Sequence, residues 1–531
     1  MKYTFILCYI FIGTCMIASA QTRQIKVDPE QTFQTIDHFT ASDAWSGNYV
    51  GQYWNPVQKE QIAKWLFSQN MDTTGNPEGI GLSLWRVNLG AGTLEQDSAD
   101  IVPFQRRAES FLTKDGKSYD WGKSSGQQYF MQKATKYGCN DFLLFSNSPP
   151  VPFTKNWKGW SPTTGHANIT PEGYGLFAGY LADVAKYFIK EKGWNIRFIS
   201  PINEPQVNWI NPRQEGSPWR NSEMKKLLVH LNQSLAERNL ESVKIILAES
   251  ANLDWLYKDN TNETAKERFG DDGPFNQIQT FFDPASPHYV GDLPYLARKI
   301  NAHDYHSHKT NQRLREAREK VGEIAKQYDL EYQQSEWCML PDQKLPMDGF
   351  TSDWVPENHT DMQVALLLGR LVYGNMVYAN ATAWGYWKGM ELKGDHALIS
   401  LFPQDGDVRS GGTVRSNKLL WALGNYSYFI RPGYKRVALD GADDLDTLVS
   451  SAYIAPDNSR LVLVFVNSGF EMNPVRLDFP KAFSKRITEV SMFRTDERAD
   501  LANLHIDQRY TADRQFVMAP RSITTMVFAL Q

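Results

Sequence analysis

Two glutamates carry the strongest chemical possibilities in the chain. Glu204 stands in Ile202-Asn203-Glu204-Pro205, closing the apolar run 196–203. Pro205 cannot donate to a sheet ladder, so it stops that run as a strand and leaves Glu204 at its C-terminal end. Ser335-Glu336-Trp337 repeats the arrangement 132 residues later, at the end of the run 330–337. Two carboxylates brought to about 5 Å can carry out retaining glycoside hydrolysis, one as acid/base and the other as nucleophile. Such a pair must differ in pKa, with the acid raised by its negative neighbour and by burial. The competing reading is two unrelated strand-end acids that bind a cation or pair with arginine. Glu249, closing the run 243–249, is a third strand-end acid and is expected to support the pair rather than react.

These side chains meet only if the right elements position them. Eight short β-rich runs recur at 35–44, 80–89, 141–148, 196–203, 243–249, 299–305, 330–337 and 382–387. Segments with apolar residues at three- and four-residue spacing lie among them, at 56–67, 173–191, 221–238, 311–328 and 361–378. Strands alternating with helices imply a parallel sheet, and eight such units imply closure. The expected fold is therefore α/β, a (β/α)8 TIM barrel over residues 34–425 with an associated antiparallel β-sandwich domain. Strands four and seven of the barrel face each other, which places Glu204 and Glu336 in one mouth. The long loops 91–116 and 151–170 fall at the same end, where such loops are usually functional. After Trp421 short alternating runs and turns such as Pro456-Asp457-Asn458 predict the sandwich over 426–531, joined by strand residues from 21–33.

Composition narrows the classes. The 531 residues carry 56 Lys+Arg against 60 Asp+Glu, a net charge of −4, so there is no electrostatic case for nucleic acid. Aromatics make up 13% of the chain; most must be core, but some Trp and Tyr can stack on sugar rings. Lys2, the uncharged apolar run 3–17 and Ala18-Ser19-Ala20 read as a signal peptide over 1–20, giving a secreted or periplasmic protein that starts at Gln21. That run is short for a membrane span, and Ile12-Gly13-Thr14 before Cys15 is a poor lipid-attachment context. Only Cys139 and Cys338 remain after cleavage. They fall at the bottom and top of the barrel, too far apart to bridge, so two free thiols are expected.

The residues also carry a family resemblance. The Asn203-Glu204-Pro205 signature and the later Glu336 resemble clan A glycoside hydrolases, and within that clan the chain is similar to glycoside hydrolase family 30. The stretches are 35–45 (Thr-Ile-Asp-His-Phe-Thr-Ala-Ser-Asp-Ala-Trp), Leu84-Trp85-Arg86-Val87-Asn88, Ser146-Asn147-Ser148-Pro149-Pro150, 429–434 and 520–525. His38-Phe39-Thr40 departs from the family's more Gly-rich version. The resemblance implies a barrel fused to a side β-sandwich and retention of anomeric configuration. It implies Glu204 as acid/base, Glu336 as nucleophile, Asn203 on the 2-hydroxyl of the attacked sugar, Arg86 holding Glu336 ionised and Tyr305 orienting it.

Further residues are read directly. In His303-Asp304-Tyr305-His306 strand alternation sets His303 and Tyr305 on one face and Asp304 and His306 on the other. No complete ligand set accompanies these histidines, so neither a metal nor another cofactor is expected, and His303 reads as a pocket donor. Trp384 is the expected stacking platform, with Trp387 left open between core and cleft and Trp45 and Trp337 as weaker candidates; Asn147 is a candidate donor to a sugar hydroxyl. The expected activity is cleavage of a β-linked oligo- or polysaccharide by a monomer without membrane insertion, most similar to endo-β-1,6-galactanases. β-1,6-Glucanase, xylanase, β-xylosidase or β-fucosidase activity and a non-catalytic glycan-binding role are the alternatives.

Overall fold

The computed structural model describes residues 21–96, 102–259, 263–340, 361–392 and 397–531; the leader read at 1–20 lies outside them. A long first strand, β1 (Arg23–Thr35), precedes eight strands that close a barrel: β2 (His38–Ser42), β3 (Leu84–Asn88), β4 (Asp141–Phe145), β5 (Asn195–Ser200), β6 (Lys244–Ser250), β7 (Leu296–His303), β8 (Glu331–Glu336) and β9 (Ala383–Lys388). Each pairs in parallel with its sequence neighbour, and β9 closes onto β2. The fold is the expected (β/α)8 barrel. Its outer helices include Pro56–Phe67, Gly173–Lys192, Asn221–Glu237, Asn311–Gln327 and Asp361–Val377. Asn311–Gln327 shows why so charged a segment is helical: Leu314, Ala317, Arg318, Val321 and Ala325 form one buried stripe while the rest stays in water.

Another helix, Ser125–Lys136, crosses from β3 to β4. Sequence periodicity missed it because Tyr129, Phe130 and Met131 are contiguous rather than spaced by three and four. A small three-stranded sheet after the barrel, β10 (Met390–Leu392), β11 (Ile399–Pro403) and β12 (Gly412–Ser416), was not anticipated either.

The C-terminal region adds β13 (Lys435–Asp440), β14 (Leu448–Ile454), β15 (Arg460–Asn467), β16 (Asn473–Asp478), β17 (Ile487–Thr495), β18 (Ala502–Asn503), β19 (Gln515–Met518) and β20 (Ser522–Leu530). With β1 they form one nine-stranded sheet, ordered β18-β17-β20-β15-β14-β13-β1-β16-β19. The sheet folds over on itself like a sandwich. Phe479, just after β16, sits 5.6 Å from Phe528 on β20, although five inter-strand steps separate those strands and a flat sheet would set them over 20 Å apart. Strand β15 explains how this module is attached. Leu461, Leu463 and Phe465 enter the core of the folded sheet, whereas Val462, Val464 and Val466 join the core of the barrel. Both faces are buried, which is why Leu461-Val462-Leu463-Val464-Phe465-Val466 is continuously apolar.

Cys139 and Cys338 are buried and unbridged. Among the described residues no helix is long and apolar enough to cross a membrane.

Candidate active site

The C-terminal end of the barrel gathers six ionisable side chains. Arg86 on β3 is 1% exposed and donates from Nη1 to Glu336 Oε2 at 2.6 Å and from Nη2 to Asn203 Oδ1 at 3.4 Å. Its guanidinium lies 3.8 Å from the centroid of the Phe145 ring and 5.4 Å from that of Trp387, an arrangement that holds a cation without water. His303, at the end of β7, spans three carboxylates. Its Nδ1 is 2.9 Å from Glu204 Oε1 and 3.4 Å from Glu336 Oε1, and its Nε2 is 3.1 Å from Glu249 Oε2. The Tyr305 hydroxyl donates to Glu336 Oε1 at 3.0 Å.

Local backbone sets the two acids. Glu204 follows β5 with φ of 45°, a left-handed conformation uncommon for a residue with a side chain. Its N–H donates to the carbonyl of Glu249 at 2.9 Å, and its own carbonyl accepts from Trp209 Nε1 at 3.2 Å. These bonds fix the turn that aims the carboxylate into the mouth. Glu336 ends β8 beside His303, its register partner on β7. An oxygen of Glu204 comes within 4.8 Å of an oxygen of Glu336.

The electrostatics follow from burial and charge. Burial alone would lower the pKa of His303, but the Glu336 charge and the hydrogen bonds to Glu204 and Glu249 outweigh it and raise the value to about 10. Glu249 is pulled the other way: against burial, Arg86 and His303 bring it down to about 2. It also accepts from Ser200 and Ser335. Glu336 is raised by burial, which the His303 and Arg86 charges offset only in part. Depth explains the direction at Glu336, whose side chain is only 5% exposed. Three carboxylates thus face two cations, Arg86 and His303, within one buried cluster.

Glu204, His303 and Glu336 come close enough together to hold an ion. The chemistry of the set disfavours one. His303 held protonated has no lone pair to give, and Arg86 already fills the charge-neutralising position on Glu336.

A cleft of about 280 Å³ opens over the cluster, lined by Asn203, Glu204, Tyr305, Glu336 and Trp387, with Trp209, Gln214, Asn252, Trp255 and His306 around them. Trp384 is not in it. Register pairs Trp384 with Phe39, whose ring packs on Tyr426 of the helix Lys418–Ser427, so both point outward to the helix layer and Trp384 is fully buried. Trp387, three residues on, faces the mouth and packs edge-on against Trp45 at 5.4 Å. Trp337 is fully buried, and its ring lies 6.0 Å edge-on from Tyr386. Asn147 is also buried outside the cleft lining, donating to Asn88 Oδ1 at 3.3 Å. Asp304 points away, as alternation predicts, to Arg318 and Asn375. His306 does not: it has φ of 61°, outside the strand, and turns back into the cleft. Trp209, Gln214 and Asn252 come from loops and Trp255 from the one-turn helix Asp254–Tyr257, where no periodicity marks an inward residue; only Trp209 and Trp255 carried a compositional signal.

The comparisons with known proteins agree with this geometry. An endo-β-1,6-galactanase from Hypocrea rufa is 28% identical over 237 residues, 41% of this chain; the match spans about half (47%) of that relative. A crystal structure of a conserved exported protein from Bacteroides fragilis superposes with a TM-score of 0.85 at 29% identity, covering 95% of this chain and 100% of that one. The catalytic domain of xylanase C of family 30 from Talaromyces cellulolyticus shares the fold at TM-score 0.65 and 18% identity, covering 95% and 100%. The model of O-glycosyl hydrolase family 30 matches residues 22–394, which contain all eight barrel strands and both glutamates. The chain belongs to O-glycosyl hydrolase family 30.

Proposed function

We propose that this protein is an exported retaining endo-glycosidase that cleaves β-1,6-linked galactan by double displacement. The observation that carries the proposal is the approach of the Glu204 and Glu336 oxygens within 4.8 Å, the spacing of retaining rather than inverting carboxylate pairs. Glu336 attacks the anomeric carbon while Glu204 protonates the departing glycosidic oxygen, leaving a glycosyl ester on Glu336. Glu204, now ionised, takes a proton from water, whose oxygen attacks the same carbon and frees Glu336. In the first step Arg86 and Tyr305 donate to Glu336 and favour the ionised form that attacks the sugar. Asn203, which lines the cleft beside Glu204, meets the 2-hydroxyl in this reading. Trp387 supplies the apolar ring for the sugar face, the role the sequence reading gave to Trp384.

Similarity to the Hypocrea rufa galactanase supports galactan as substrate. The leader read at 1–20 and the likeness to the Bacteroides fragilis exported protein support export. Incubation with β-1,6-galactan, β-1,6-glucan and xylan, with product lengths read by chromatography, tests the substrate. Short oligomers from galactan are expected; turnover of glucan or xylan alone would overturn it.

A further inference from the structure

A second cavity, of about 240 Å³, lies at the same end of the barrel, between the loop after β3 and the loop after β4. It is bounded by Gly92, Gln96, Thr113, Pro152 and Trp157. Neither the catalytic cluster nor the sequence motifs use it. Two features of its wall point to a ligand. Trp157 keeps 57% of its surface exposed and has φ of 55°. The amide of Gln96 pins that turn, its Nε2 donating to the Trp157 carbonyl at 2.6 Å. The same bond fixes the other end of the amide: Gln96 Oε1 is buried and has no hydrogen-bond partner among the described residues. An exposed indole held in a fixed turn over a cavity is a surface on which the apolar C–H face of a sugar stacks.

The cavity is coupled to the cleft by one short stretch of chain. Trp209 and Gln214 line the catalytic cleft. The next residue, Glu215, is fully buried and accepts from the N–H of Ala91, in the wall of the second cavity, at 3.0 Å and from Thr93 Oγ1. Gly216 donates to Gly159 at 2.8 Å, and Ser161 donates to the carbonyl of Trp209 at 3.0 Å, so the loops of both sites form one frame. We infer that the Gln96–Trp157 cavity is a remote sugar subsite, which holds a residue of a β-linked glycan chain several units from the bond cleaved at Glu204 and Glu336. This rests on the glycosidase reading and deepens it, since a remote subsite gives the enzyme a reason to prefer long chains.

The test measures kcat/KM for wild type, Trp157→Ala, Trp157→Phe and Gln96→Ala on β-1,6-galactobiose and on β-1,6-galactohexaose. The ratio of hexaose to biose efficiency should fall about tenfold in Trp157→Ala and severalfold in Gln96→Ala, through KM on the hexaose, and recover in Trp157→Phe. A ratio unchanged in both alanine variants, with folding intact by thermal melting, overturns the subsite while leaving the catalytic reading standing. Wild type that cleaves neither galacto-oligomer instead overturns the galactan assignment. The same length ratio, measured on the glucan or xylan oligomers it does cleave, then decides the subsite on the same criterion.

Discussion

Replacing His303 with Asn should flatten the alkaline loss of this protein's stability. His303 is fully buried, and its pKa is raised from an ordinary 6.5 to about 10 by the carboxylates around it. Because the folded value is the higher, the stabilisation is complete below about pH 6.5 and is lost as pH rises through about 10. Between those limits the native state holds one proton that the unfolded chain does not, so stability falls by up to about 1.4 kcal/mol per pH unit. Over the whole window the His303 contribution is on the order of 5 kcal/mol. At pH 6 the variant leaves Glu204, Glu249 and Glu336 facing Arg86 alone, and removing one partner from a buried ion cluster costs about 3–5 kcal/mol. The stability gap between wild type and variant should therefore be widest near pH 6 and narrow steadily towards pH 10. Urea unfolding followed by tryptophan fluorescence at half-unit pH steps reads that gap directly, since lysines and tyrosines elsewhere contribute equally to both proteins. Parallel stability curves, or a His303 imidazole seen by NMR to lose its proton near pH 6.5, would refute the reasoning.

Other perturbations separate the parts of the site. Glu204→Ala should lose most activity on galactan but keep turnover of aryl glycosides with good leaving groups and be rescued by azide, because neither needs the acid; loss on every substrate without rescue would contradict its role. Trp387→Ala should raise KM about tenfold, whereas Trp384→Ala, removing a fully buried ring, should lower unfolding free energy by about 3–5 kcal/mol and leave KM nearly unchanged. Prolonged treatment with a chelator should leave activity intact, with His303 protonated and unable to ligate an ion; inactivation reversed by a divalent cation would contradict that assignment.

The barrel was legible because parallel strands buried on both faces are short continuous apolar runs, and their ends mark the functional rim. Glu204 and Glu336 were found by that logic, since each closes such a run beside an amide or aromatic residue. His303 at the end of β7, Tyr305 two residues beyond it and Arg86 within β3 also reach the cluster. Phase failed where the backbone left the strand: His306 turns into the cleft after β7, and on β9 the outward phase belongs to Trp384. The direction of the Glu336 shift depends on its depth and on the charges of Arg86, Glu204 and His303, brought from three other parts of the barrel, which no local pattern encodes. The apolar outer face of β15 was legible as hydrophobic but not as the seam with the barrel, because its partner, the helix Asp361–Val377, lies nearly a hundred residues away.

The central claim, that Glu336 forms the bond to the sugar with Glu204 as its acid, is tested most directly by trapping. A 2-deoxy-2-fluoro-β-galactoside with an activated leaving group should add one fluorosugar to the protein, and peptide mass spectrometry should place it on Glu336. Wild type should label and Glu336→Gln should not. Label on Glu204, or no label together with a first-formed product of inverted configuration by NMR, would contradict the account.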